Sequence, residues 1–303
     1  MTLQQHITKH PVILDGGLAT ELERQGNDIS GSLWSARLLR DDPGAIIAAH
    51  RAFFSAGADV ATTASYQATF DGLAAQGADR EHAAALMRQS VQLAKQAASE
   101  VEDRPTWVAA SVGPYGAMLA DGSEYRGDYG LSVAQLREFH RPRLVVLAES
   151  GPDVFALETV PSAAEAEALL TEVAELGVPA WLSLTISGTT TRTGEPIAEV
   201  FQMAADIDGV IAVGVNCSTP EDVSAAIAVA REASGKPVVA YPNSGEGWDA
   251  GKRAWAGISE LDIADVPQWL HDGAMLVGGC CRVTPTQIHG IAEVVTVAST
   301  SAP

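Results

Sequence analysis

Eight short runs rich in Val, Ile and Ala recur along the chain, separated by longer stretches of Ala, Glu and Leu at helical spacing, and this alternation limits the fold more than any other feature. The runs are Val12 to Gly17, Asp59 to Ser65, Trp107 to Gly113, Val154 to Thr159, Trp181 to Ile186, Val210 to Cys217, Val238 to Asn243 and Met275 to Cys281. Helical patterns between them include Pro43 to Ala56, His82 to Glu100, Leu131 to Ser150, Ala163 to Leu176, Pro220 to Ala233 and Ile263 to His271. Strands that are apolar throughout need cover on both faces, as parallel strands do. Eight βα units in 303 residues therefore predict an α/β protein closed into a (β/α)8 TIM barrel. An open doubly wound sheet is the alternative, but no Gly-x-Gly-x-x-Gly turn follows the first run. With 47% hydrophobic residues and no linker or low-complexity tract, residues 1–303 are expected to form one domain around one core, at about 11–297.

Charge narrows the partners. Against 19 Lys and Arg stand 38 Asp and Glu, a net charge of −19 that repels nucleic-acid backbones and anionic lipid, so neither nucleic acid nor membrane is an expected partner. Met1 to His10 is polar and does not read as a secretory signal, and no apolar run is long enough to span a bilayer. A cytoplasmic protein is expected, as a monomer or small homo-oligomer. Three cysteines, an odd count in a long chain, argue for reduced thiols rather than a disulfide framework.

The active sites of such barrels lie at the C-terminal strand ends, and here those ends carry the chemistry. The first run ends in Asp15-Gly16-Gly17, the fourth in Glu158-Thr159, the sixth in Asn216-Cys217, the seventh in Asn243-Ser244 and the eighth in Cys280-Cys281. All three cysteines thus face one mouth. Three thiolates with no obvious fourth protein ligand suit a soft closed-shell metal such as zinc and leave a position for substrate. The competing reading is three small buried core residues, and a vicinal Cys280–Cys281 disulfide is disfavoured by strain. No histidine competes for the metal: His50, His82, His140, His271 and His289 fall in helical patterns, and His6 and His10 precede the first run.

A thiolate-rich dication makes bound water a poor nucleophile source but keeps a bound thiolate electron-rich, so attack by sulfur is the expected reaction. Asp15 and Glu158 are suited to hold an ammonium group, and the amides following Gly16-Gly17 at a helix start to receive a carboxylate, which together describe an amino-acid thiol. Each acid is equally compatible with a plain salt bridge at the barrel mouth. Thr219-Pro220-Glu221-Asp222 and Thr284-Pro285-Thr286-Gln287 predict capped helix starts that fix the two cysteine loops. Long loops at Pro114 to Gly130, Ser187 to Glu195 and Ser244 to Gly257 are where a second substrate would be enclosed.

The segments Asp15-Gly16-Gly17-Leu18-Ala19-Thr20-Glu21-Leu22-Glu23, Thr63-Ala64-Ser65-Tyr66-Gln67-Ala68-Thr69, Gly113-Pro114-Tyr115-Gly116, Gly214-Val215-Asn216-Cys217, Tyr241-Pro242-Asn243-Ser244-Gly245-Glu246 and Gly278-Gly279-Cys280-Cys281 resemble the homocysteine S-methyltransferases nearly end to end. The Ser-Tyr-Gln-Ala-Thr and Tyr-Pro-Asn-Ser-Gly-Glu segments are most similar to the branch using S-methylmethionine, with S-adenosylmethionine the poorer donor. The resemblance implies zinc held by Cys217, Cys280 and Cys281 as the catalytic centre, homocysteine contacts at Asp15 and Glu158, and Trp34 and Tyr66 as aromatic walls for the methylated cation. Gly16, Gly17 and Asn216 are placed with the substrate contacts. The implied reaction, a step of methionine formation, is direct displacement: homocysteine sulfur, deprotonated on binding zinc, attacks a methyl carbon of the sulfonium. Betaine as donor remains an alternative. So does a phosphate-binding isomerase or aldolase using Gly278-Gly279, although no lysine sits at a strand end. A non-enzymatic zinc or redox buffer is the third reading.

Overall fold

The computed structural model describes residues 1–29, 35–249 and 254–300. Eight parallel strands form one sheet: β1 (Val12–Ile13), β2 (Val60–Thr62), β3 (Trp107–Val112), β4 (Val154–Val160), β5 (Ala180–Leu184), β6 (Val210–Asn216), β7 (Val238–Tyr241) and β8 (Ala274–Val277). Neighbours in space follow chain order, β1 pairs with β8 through Val12 opposite Leu276, and a parallel bridge from Leu14 to Val60 closes β1 onto β2. The expected barrel is the observed one, each strand lying within its predicted run or one residue from it.

Residue alternation along the strands sorts the core into two. Val12, Leu14, Val60, Trp107, Ala109, Val154, Ala156, Trp181, Val239, Tyr241 and Leu276 fill the barrel interior, while Ile13, Val108, Ala110, Phe155, Leu157, Leu182, Val213, Val215, Val238 and Val277 pack outward under the helices. Because side chains alternate faces, the strand that sends Val154 and Ala156 inward also sends Glu158 into the mouth one step above them.

Helices at Pro43–Ser55, Arg80–Ala98, Val133–Glu149, Ala163–Leu176 and Pro220–Ser234 match the predicted patterns closely. Ile263 to His271 splits into a 3-10 turn, Ile263–Asp265, and a short helix, Val266–Asp272, since Pro267 enters at the first turn. Several short helices fall outside the predicted patterns. Ser35–Asp41, Phe70–Ala74, Tyr115–Leu119 and Ile197–Met203 are too short to show a full apolar period, whereas Leu18–Arg24 stands at the helix start expected after Gly16-Gly17. Leu3–Ile7 lies within the segment read as merely polar; a Thr2–Gln5 capping box starts it, and its Leu3 and Ile7 join the interior cluster and seal the end of the barrel opposite the site.

Candidate active site

Strands β6 and β8 flank β7, so Cys217 and Cys280 emerge toward one point, with Cys281 next to them. The three sulfurs lie within 4.8 Å of one another, Cys217 buried and the other two partly exposed. Three ligands of one tetrahedral zinc stand about 3.8 Å apart when each bond is about 2.3 Å, so the cluster fits one ion in size and in donor chemistry. The expectation of three separate reduced thiols needs correction: Cys217 and Cys280 are joined as a disulfide, with Cα atoms 5.6 Å apart, and Cys281 is free. Two sulfurs aimed at one point either share an ion or share a bond, so metal and disulfide are alternative states of the same residues.

Hydrogen bonds lock the cysteine loops to the segment that follows β7. Pro242 O accepts from the Cys280 N–H at 2.7 Å, Asn243 Oδ1 from the Cys281 N–H at 3.1 Å, and Cys281 O from the Ser244 N–H at 3.0 Å. The Asn243 N–H reaches Ser218 O at 3.0 Å, tying in the other loop. As expected, the Thr219 hydroxyl caps Asp222 N–H at 3.1 Å, and at the second helix start Gln287 Oε1 accepts from the Thr284 N–H at 2.9 Å. Thr159, Cys217 and Arg282 adopt left-handed backbone at φ 61°, 46° and 66°. For β-branched Thr159 this is an outlier, held by the Asn216 amide: its Oδ1 accepts the Thr159 N–H at 2.8 Å and its Nδ2 donates to Thr159 Oγ1 at 2.9 Å. The same Nδ2 lies 3.8 Å from the Cys280 sulfur, so Asn216 braces a sulfur and a strand end.

Asp15 and Glu158 are 3% and 7% exposed, and neither has a cationic partner among the described residues. Thr62 donates to Asp15 from its N–H at 2.7 Å and its hydroxyl at 2.8 Å. Glu158 accepts from the Ser111 hydroxyl and, at 3.1 Å, from Tyr241. Burial, with the Glu158 charge as a lesser cause, pushes the Asp15 carboxyl up to about 8, and burial pushes Glu158 up to about 7. A pair of desolvated carboxyls acting on each other is a receptor for a cation.

Gly16 and Gly17 serve packing. A Cβ on Gly17 would meet Cys280 O at 2.7 Å, so the first strand end can approach the cysteine loop only without a side chain. The Gly17 N–H donates to Val283 O at 2.9 Å, so of the amides here only those that follow it, at the start of Leu18–Arg24, are placed to receive a carboxylate. Tyr66 faces the Thr159 hydroxyl, and Trp34 lies outside the described residues. His140 is buried in a network with Glu165 (2.8 Å) and Arg143 (2.6 Å), consistent with helix packing, and no histidine joins the described cysteine cluster.

Sequence reasoning missed Tyr125. Its hydroxyl hydrogen-bonds Cys281, partly offsetting the burial that pushes this thiol up to about 11. Glu124 directly precedes Tyr125 in the chain, and the Arg192 guanidinium lies over its ring. All three lie in loops singled out as enclosing segments; an acid beside an aromatic in such a loop was the available signal.

A family model described as homocysteine S-methyltransferase matches residues 12–295. Homocysteine S-methyltransferase 2 of Arabidopsis thaliana is 42% identical, covering 92% of this chain and 91% of its own, and homocysteine S-methyltransferase YbgG of Bacillus subtilis is also 42% identical, covering 95% and 96%. Among solved structures, the Escherichia coli homocysteine methyltransferase MmuM superposes in its metallated form with a TM-score of 0.84 and in its oxidized form with 0.85, each at 40% identity over 94% of this chain and 96% of that one.

Proposed function

The chain belongs to the homocysteine S-methyltransferase family and is an enzyme that methylates homocysteine, and from that premise we propose that it uses zinc held by Cys217, Cys280 and Cys281 and takes its methyl group from S-methylmethionine, with S-adenosylmethionine as a lesser donor. The convergence of three sulfurs within 4.8 Å at the barrel mouth carries this reading. Bound there, zinc would supply a positive charge that keeps a coordinating thiol in its thiolate form at neutral pH.

The chain's own residues do the remainder. Asp15 and Glu158 receive the homocysteine ammonium, which restores both to the ionised state that burial opposes. Asn216 and Asn243 hold the cysteine loops in register, and Tyr125 steadies Cys281. Tyr66 presents an aromatic face to the methylated sulfur, as does Trp34 in this reading. The homocysteine sulfur forms a bond to the methyl carbon as the bond from that carbon to the sulfonium sulfur breaks; the released electron pair stays on the leaving sulfur, and S-methylmethionine and homocysteine become two methionines. The anionic nucleophile and cationic donor cancel their charges in the transition state, so positioning in a dry site supplies most of the rate.

The test is methionine formation from homocysteine across a panel of S-methylmethionine, S-adenosylmethionine and betaine, with the reduced enzyme before and after chelation. The rate falls at least a hundredfold on metal removal and returns with zinc, and S-methylmethionine gives the highest kcat/KM. Full turnover by a demonstrably metal-free preparation would refute the zinc assignment; highest turnover with betaine would refute the donor.

A further inference from the structure

One buried carboxylate on the rim is left over by this chemistry. Glu124, in the 3-10 turn Ser123–Tyr125 after β3, is 2% exposed and its Oε2 has no hydrogen-bond partner. An orphaned carboxylate oxygen at that depth is costly unless a ligand supplies an N–H. Glu124 directly precedes Tyr125, whose hydroxyl hydrogen-bonds Cys281, so its turn borders the site. The neighbouring cation Arg126 is half-exposed and already turned to Ser123 at 2.8 Å, Asp121 at 3.6 Å and Asp128 at 3.8 Å.

Near the Tyr125 ring stands a charge of opposite sign. The Arg192 guanidinium lies 5.8 Å from the ring centroid, and its Nε and Nη2 both reach Thr185 Oγ1 at 3.2 Å, a neutral partner for a cation. Asp222 acts on it only through its field, the Asp222 carboxylate accepting the Gly188 N–H at 3.0 Å. The two loops are packed together: the Arg192 N–H donates to Pro161 O at 2.9 Å, and a Cβ on Gly127 would lie 3.1 Å from both Pro161 and Thr193.

Among the described residues, a carboxylate with an open acceptor and a guanidinium without a carboxylate partner, both beside the tyrosine that touches Cys281, match the ammonium and carboxylate of an amino acid. Homocysteine's own ammonium is taken by Asp15 and Glu158 in the reading above, on which this inference rests. We propose that Glu124 and Arg192 form a second amino-acid head site, for the methyl donor: Glu124 takes its α-ammonium and Arg192 its carboxylate, leaving the sulfonium, which cannot donate a hydrogen bond, to the faces of Tyr66 and Tyr125. The site selects donors that carry an α-amino group.

The experiment compares wild type, Glu124→Gln and Arg192→Met on S-methylmethionine and on its des-amino analogue, 4-dimethylsulfoniobutanoate, the latter read as an inhibition constant against S-methylmethionine. Glu124→Gln raises the S-methylmethionine KM tenfold or more, holds the homocysteine KM within twofold, and leaves the analogue's inhibition constant within twofold of wild type. Arg192→Met weakens both compounds by similar factors. Glu124→Asp, which keeps the charge, recovers most of the S-methylmethionine affinity and controls for misfolding. An unchanged donor KM in Glu124→Gln, a parallel rise in the homocysteine KM, or equal weakening of the analogue overturns the head site. The wild-type rate with S-methylmethionine separately judges the functional reading.

Discussion

Glu158 is held by two hydroxyls, from Ser111 and Tyr241, and a hydroxyl can turn from donor to acceptor. Glu158→Gln therefore keeps its contacts and loses its charge. The expected outcome is a homocysteine KM at least tenfold higher with the donor KM within twofold, checked by initial rates; equal affinity for the thiol removes the assignment. The same change raises stability at pH 8 by roughly 1–3 kcal/mol, since it deletes a buried ionised carboxyl, and by less at pH 5, where burial already keeps Glu158 protonated. Asp15, Glu158 and the three cysteines were legible in the sequence because each sits at the end of an apolar strand, where position in the run fixes position in the barrel. Glu124, Tyr125 and Arg192 were not, because in irregular loops no periodicity says which way a side chain points. The Cys217–Cys280 pairing was missed for a different reason: the count of cysteines is odd, and only the coordinates show which two meet.

Among the elements, Leu3–Ile7 is a single turn and a half, yet both of its apolar residues are buried at the base of the barrel. Leu3→Ala or Ile7→Ala is expected to lower stability by about 2–4 kcal/mol, the cost of a core cavity, with kcat in the folded protein unchanged because the site lies at the opposite mouth. Urea unfolding followed alongside activity checks this; loss of activity without loss of stability contradicts it. The long amphipathic helices were readable almost to the residue, Ala163–Leu176 among them, since Ser162 caps one end and Gly177 ends the other in left-handed backbone. Leu3–Ile7 was not, because two apolar residues four apart fall below what periodicity can separate from chance.

At the scale of the whole molecule, burial raises three carboxyls together, Asp15 to about 8 and Glu158 and Glu165 each to about 7, the last in spite of the nearby Arg143 charge. Between about pH 4 and pH 8 the folded chain therefore holds more protons on these groups than the unfolded chain does, so stability falls as pH rises through that window. Buried His50 and His140, held below their usual pKa by burial, pull the other way up to about pH 6.5. The melting temperature of the unliganded protein should therefore decline from about pH 6.5 to pH 8, and homocysteine should flatten the slope by supplying an ammonium to two of the three carboxyls; a rise over that window contradicts the burial account. That eight βα units close into a barrel was legible from end to end, because closure follows from strand count and two-sided burial alone, whereas the chemistry at its mouth depends on which loops fold back over it. The central claim is that three cysteine sulfurs share one ion and leave room for a fourth sulfur from substrate. Its most direct test is X-ray absorption at the zinc edge of the reduced, zinc-loaded protein, with and without homocysteine. The account predicts three sulfur neighbours rising to four when the thiol is added; a sulfur count that homocysteine leaves unchanged would contradict it.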